Sequence, residues 1–221
     1  MNNLEPIVER IRQNLEAKNQ AREQGLTLSR EIIRASANAI RALHRHEFEA
    51  ARGLLQSAQT AVVTCEAVLR DHPDVYYAGF VHDAQKEFAE ACITYAIVRG
   101  EPLPEPEALG VSYIAYLHGM GEAVGELRRH LLDYLRHGDV SRCEALLEAM
   151  DDLYTVLVTL DYPDAMTAGL RRTTDAARGI LEKTRGDLTL AIRQRDLERE
   201  LQRFEEWLRR AAVAGSKESP E

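Results

Sequence analysis

Apolar residues recur along this chain at three, four and seven positions, with polar residues between them. Leu26, Ile33, Ala37, Ile40 and Leu43 form one such stripe, with Arg30, Arg34 and Arg41 off it. Leu127, Leu131, Tyr134 and Leu135 repeat the pattern, and Leu146, Leu153 and Leu160 stand at heptad spacing. This is the period of a helix that buries one face. No segment alternates apolar with polar residues for more than a few positions, so strands are not expected.

Proline divides the pattern into runs. Pro73, the Pro102/Pro104/Pro106 cluster and Pro163 lie between apolar stretches, and proline is poorly tolerated inside helices. Each is followed by an acidic residue suited to the positive end of a new helix: Asp74, Glu107 and Asp164. The expected helices cover about 4–46, 47–71, 74–99, 108–137, 140–160 and 164–212, with Gly186 a possible break in the last. The expectation is one all-α domain over 1–212, a helical bundle, followed by a mobile tail at 213–221 rich in Ala, Gly, Ser and charge.

Composition narrows the class. Of 221 residues, 45% are hydrophobic and 29% charged, enough to bury a core. No apolar stretch approaches the 18 residues of a membrane span, and the charged first 30 residues do not read as a secretory signal. Cys65, Cys92 and Cys143 are far apart with no CxxC, so free thiols in a reducing, cytoplasmic setting are expected. The net charge of -8 opposes general nucleic-acid coating, leaving only a local basic patch for such a partner. The charge is also segregated. Residues 101–165 carry thirteen Asp/Glu against four Arg, whereas 30–52 and 166–193 are net basic. Distinct acidic and basic faces are one reading, and uneven helix surfaces are the other.

No phosphate-binding loop, dinucleotide fingerprint, zinc-protease helix or nucleophile elbow is present. None of the seven histidines follows a Glu by three residues, which argues against a di-iron bundle. What remains are carboxylates in apolar helical stretches. Glu87 and Glu90 share one helix face, with Asp83 a turn earlier, and Glu122 and Glu126 share another. Gly119, Gly121 and Gly125 flank the second pair. Each glycine costs a helix about 1 kcal/mol relative to alanine and permits close approach of a second helix or a ligand. Two such pairs on facing helices would hold a hard cation, Mg²⁺ or Mn²⁺; ordinary surface glutamates are the alternative.

Leu28-Ser29-Arg30-Glu31-Ile32, followed by Ser36, Ile40 and Leu43-His44-Arg45, is similar to the opening helix of the translin family, closest to its factor X-like nuclease branch. His72-Pro73-Asp74-Val75-Tyr76-Tyr77 resembles the entry to its third helix, and Glu87-Phe88-Ala89-Glu90-Ala91 the acidic pattern of the factor X branch. Gly125-Glu126-Leu127 with Gly138-Asp139, and Gly169-Leu170-Arg171-Arg172 with Asp175, Arg178, Glu182 and Arg185-Gly186, resemble its later helices. The motifs run in order from about residue 20 to 190.

The resemblance implies a translin-like fold of about seven helices that assembles into a hollow oligomer, commonly an octamer. It implies single-stranded RNA as a partner, with single-stranded DNA as a second, and a Mg²⁺- or Mn²⁺-dependent endoribonuclease within the shell. The acidic quartet of the nuclease branch falls on Glu87, Glu90, Glu122 and Glu126, which are thereby expected as both metal ligands and catalytic residues. Glu122 stands where the animal proteins carry Asp, and the chain is shorter between Arg99 and Ser112. A chain working without a second subunit type would close the shell as a homo-oligomer. Arg30, Arg34, Arg41, Arg45, Arg171, Arg172 and Arg178 are the expected phosphate contacts. His44 and His118 are expected to be packed or exposed, and Tyr76 and Tyr77 to pack the core. Trp207, the Leu146/Leu153/Leu160 heptad and the run Leu190, Leu197, Leu201, Phe204 and Leu208 are expected to meet a neighbouring subunit. A non-catalytic nucleic-acid-binding shell and a helical protein-interaction scaffold remain as alternatives.

Overall fold

The computed structural model describes residues 4–215, with side chains given to residue 210. It is all-α: no strand occurs among the described residues. Six long helices and three one-turn helices are present among the described residues. Helix α1 is Leu4–His44, α2 Phe48–Leu69, α3 Pro73–Tyr76, α4 Phe80–Arg99, α5 Pro106–Leu109, α6 Tyr113–Arg136, α7 Ser141–Thr159, α8 Asp164–Thr167 and α9 Leu170–Gly215. The prolines act as expected, with Pro73 and Pro106 at the first positions of α3 and α5. Ser112 caps α6 by accepting from the Ala115 N–H at 3.2 Å. Gly100 closes α4 in the left-handed region at φ 66°.

Three expected runs are cut by a turn. The 74–99 run splits into α3 and α4 around Gly79, and the 108–137 run into α5 and α6. The last run breaks at Ala168–Gly169, both at positive φ, and not at Gly186, through which α9 passes uninterrupted. The expected tail from 213 is helical to Gly215; its remainder, 216–221, lies outside the described residues.

Helix α4 lies at the centre, packed between α1 and α6; α2 covers α1, while α7 and α9 pack on α6 and on each other. Every residue from Phe88 to Ala96 is buried, Glu90 and Thr94 included. A helix enclosed on all sides is normally apolar throughout, so a carboxylate there is informative. Phe88, Ile32, Leu43, Leu69, Ile93, Leu127, Leu131 and Met150 are the large fully buried side chains of the core. The three cysteines are free and buried, and burial pushes the Cys92 thiol up to about 12. No helix among the described residues is long and apolar enough to cross a membrane.

The heptad Leu146/Leu153/Leu160, expected to meet a neighbour, belongs to the core of the bundle itself: Leu146 and Leu153 are buried and Leu160 packs against them. The apolar surplus lies elsewhere. Leu190, Leu197, Leu201, Phe204, Trp207 and Leu208 of α9 are exposed, with Phe204 and Trp207 stacked at 5.7 Å. Leu4, Ile7, Val8, Ile11 and Leu15 of α1 are exposed as well. Tyr76 packs against the core, but Tyr77 does not; it is 80% exposed.

Helices α4 and α6 touch at Gly119. A Cβ there would lie 2.7 Å from the Glu90 backbone nitrogen, 2.8 Å from the Lys86 carbonyl oxygen and 2.9 Å from the Ala89 Cβ. Two of those three atoms are backbone and cannot rotate away. Replacement of Gly119 by alanine is therefore expected to destabilise by about 1–3 kcal/mol, as overpacked cores do. The loss would appear as a lower midpoint in thermal unfolding. The control G53A, where nothing lies within 4 Å, should leave the midpoint unchanged or raise it.

Candidate metal centre

The close approach at Gly119 sets Glu87 and Glu90 of α4 against Glu122 of α6. One carboxylate oxygen from each lies within 4.8 Å of the other two. Asp83, one turn earlier, stays exposed and outside the trio. The donors are all oxygen, the set preferred by Mg²⁺ and Mn²⁺ over softer ions. The trio therefore fits a hard divalent cation, and Glu90 shows why it is short of positive charge. Burial, then the fields of Glu122, Glu87 and Glu126, push its carboxyl from 4.5 to about 8. Glu90 is only 9% exposed, so water screens those fields weakly.

Glu126, the fourth expected ligand, is engaged differently. His44 Nε2, from the end of α1, lies 2.5 Å from Glu126 Oε2. This hydrogen bond, followed by the charges of His44, Arg129 and His130, outweighs burial and holds the Glu126 carboxyl below its usual range. His44 is in turn stacked on His130, with ring centroids 4.2 Å apart. Burial and the nearby His44 push His130 down to about 4, and its Nε2 has no partner among the described residues. Three of the four expected carboxylates thus converge, and the fourth stands beside them on a histidine.

Lys86 supplies the positive charge inside the cluster. Its Nζ donates to Glu122 Oε1 at 2.8 Å and lies 3.5 Å from Glu87 Oε1. Burial weakens the ammonium, but the bond to Glu122 and the charges of Glu122 and Glu87 outweigh it, so the lysine holds its proton more tightly than usual. One turn before Glu122 on α6, His118 is buried, with both ring nitrogens engaged: Nδ1 contacts Thr173 Oγ1 at 2.9 Å and Nε2 the Thr167 carbonyl at 3.0 Å. Gly121 makes room for the same Thr173, whose Cγ2 an added Cβ would strike.

The expected phosphate contacts do not gather at this site. Arg30, Arg34, Arg41 and Arg45 are all exposed, spaced by four, seven and four residues along one face of α1 and just past its end. Arg41 donates to Asn38 and Arg45 to Glu47. Arg171, Arg172 and Arg178 are exposed on α9; Arg178 pairs with Glu182, and Arg171 lines an open cavity shared with Asp161, Asp164 and Asp175. Arg30, Arg34, Arg171 and Arg172 have no ion pair among the described residues.

No family model matches the chain. An uncharacterised protein of Methanocaldococcus jannaschii is 32% identical over 190 residues, which span 85% of this chain and 84% of that protein. The solved AfC3PO is 33% identical, with a TM-score of 0.79 over 85% of this chain and 98% of its own. The AfC3PO–duplex RNA complex is 34% identical, with a TM-score of 0.80 over 85% and 97%. Apo-NeC3PO, at 21% identity and a TM-score of 0.71, shares the fold. The bundle is thus of the C3PO class. Within it, the chain belongs to the translin family.

The titration of the cluster gives a sign that is open to measurement in metal-free protein. Glu90 binds its proton more tightly folded than unfolded, so its contribution to stability is complete below about pH 4.5 and is lost as pH rises through 8. His130 runs the other way, its contribution being complete above pH 6.5 and lost as pH falls through 4. Between pH 6.5 and 9, where His130 no longer contributes a slope, the wild-type melting temperature is expected to fall by several degrees, since about 1 kcal/mol moves a domain of this size by 2–4 °C. Glu90→Gln should flatten that fall. An unchanged slope in the variant would assign it to another group.

Proposed function

We propose that the protein binds single-stranded RNA and cleaves it with Mg²⁺ or Mn²⁺ as an endoribonuclease. The observation that carries this reading is the convergence of Glu87, Glu90 and Glu122 oxygens within 4.8 Å on two helices forced together at Gly119. A cation bound there would stabilise charge on a phosphoryl oxygen and acidify a water. Glu87, Glu90 and Glu122 would hold it, with Glu90 giving up its proton as the site fills. Glu126, fixed through Oε2 by His44, keeps its second oxygen to orient a water or accept a proton. Family membership supports the RNA partner, since AfC3PO forms a complex with duplex RNA. Single strands and duplexes are therefore both to be tested, with single-stranded DNA alongside.

The exposed arginine stripe on α1 and the Arg171–Arg172 pair of α9 would hold the phosphates. A homo-oligomeric shell, with eight subunits the expected number, would close through the exposed apolar stripes of α1 and α9. Those stripes are larger than isolated surface hydrophobics and stay exposed among the described residues.

Purified protein is expected to cut labelled single-stranded RNA in Mg²⁺ or Mn²⁺ and to stop in EDTA. Glu90→Gln and Glu122→Gln should lower cleavage by about 10²–10⁴-fold, the usual effect of losing a well-placed catalytic group, while RNA affinity holds or tightens. Full cleavage by both variants would place the chemistry elsewhere. Metal-independent binding without cutting by the wild type would favour the non-catalytic shell.

Affinity for RNA should fall linearly on a log–log plot against salt concentration, because each neutralised phosphate releases counterions. Exchanging Arg171 and Arg172 together for alanine should weaken binding of all sequences alike and reduce the salt slope by about two. Filter binding or fluorescence anisotropy at several salt concentrations measures both.

A further inference from the structure

We propose that Lys86 is a built-in counter-ion of the carboxylate cluster: its ammonium occupies the place of a divalent cation between Glu122 and Glu87, and it swings out when such a cation enters. The proposal rests on the reading of Glu87, Glu90 and Glu122 as a metal centre, but it concerns what governs occupancy of that centre.

The geometry is specific to this lysine. Its Nζ is 2.8 Å from Glu122 and 3.5 Å from Glu87, two of the three carboxylates that a cation would bridge. It is the one Lys or Arg with an ion pair to any member of the trio among the described residues. The lysine and its partner come from different helices. Lys86 reaches Glu122 because Gly119 lets the α6 backbone rest against the Lys86 carbonyl. An ammonium and a hard cation both seek the same oxygen atoms, the first through hydrogen bonds and the second through direct ligation at about 2.0–2.1 Å for Mg²⁺. Two positive charges cannot share that space without strong repulsion in a partly buried site.

The lysine also has somewhere to go. Its side chain is 21% exposed, and a four-carbon stem turns a short rotation at the base into a displacement of several ångströms at the ammonium. The residues that neutralise the cluster therefore act in succession. Lys86 stabilises the fold while the centre is empty, and the cation takes over that role on binding. A consequence is that the lysine lowers metal affinity while it protects the metal-free protein. The centre fills only when the free cation is concentrated enough to displace an internal competitor.

Titration of the full-length chain with Mn²⁺ alone, followed by calorimetry or by loss of the free-ion EPR signal, tests this directly. Lys86→Gln is expected to bind Mn²⁺ about ten-fold more tightly or better than wild type, the scale of the one to three pKa units that a neighbouring charge imparts. Lys86→Arg, which keeps the charge, should show no such gain. In EDTA the Gln variant should melt below wild type, and saturating Mn²⁺ should raise its melting temperature by more than that of wild type. Should the Gln variant not fold in metal-free buffer, Lys86→Met decides by the same comparison. Wild-type Mn²⁺ affinity in the charge-removed variant, with binding still abolished by Glu122→Gln, would overturn the role of Lys86 and leave the metal centre standing. Absence of Mn²⁺ binding in wild type and in every variant would overturn both.

Discussion

The contact of α6 with α4 at Gly119 is the constraint on which the rest of this structure depends. With no side chain at that position, the two backbones meet within van der Waals distance, and α4 becomes a helix enclosed by its neighbours. Any residue larger than glycine would move α6 outward. The oxygens of Glu122 would then leave those of Glu87 and Glu90, and Lys86 would lose its partner across the gap. Packing thus fixes a polar site whose own electrostatics oppose it. Four carboxylates on adjacent turns repel one another, and the dispersion and burial of the surrounding core work against that repulsion.

That opposition is relieved in three ways. Glu90, the most enclosed member, keeps its proton through neutral pH. Glu122 and Glu87 share an ammonium. Glu126 rests on His44, which is backed by His130. Each device leaves the cluster tolerable without a metal and short of a full complement of positive charge. On the proposed reading, such a site would gain a divalent cation in exchange for a proton and the displacement of one side chain.

Much of this was legible in the sequence. Proline punctuation and the 3.6-residue period locate the long helices, while the spacing of the glutamates and glycines offers α4 and α6 as a facing pair without deciding against ordinary surface glutamates. The errors have physical reasons. One-turn helices such as α3 and α8 carry too few residues to show a period, so the runs containing them read as continuous. Gly186 sits on an exposed face of α9, where a small loss of propensity is outweighed by the packing of Leu181 and Leu188 on either side of it. The Leu146–Leu160 heptad is real, but spacing does not say whether its partner is the same chain or another. Tyr77 follows a one-turn helix whose direction local sequence does not set. Lys86 stands beside Glu87 and one turn before Glu90 in the sequence, but its hydrogen-bond partner Glu122 lies 36 positions on and meets it only in the fold. The His44–Glu126 bond spans 82 positions, and only the tertiary fold brings those residues together.

Helix α9 runs on beyond the bundle as an arm. Ile192 is partly buried against the core, and one turn earlier Arg128 of α6 donates to Thr184 at 2.9 Å and to Asp187 at 2.7 Å, next to the buried leucine at 188. From there to Arg210 the helix extends about 33 Å at 1.5 Å per residue, carrying its exposed apolar residues. A tilt of about five degrees at the anchor displaces the far end by about 3 Å over that length, more than half a helical turn. A ring of identical subunits closes only at one angle between neighbours. The hydrogen bonds of Arg128 to the middle of α9 therefore set the bearing of the arm, and in the proposed shell they would set how many copies complete the circle.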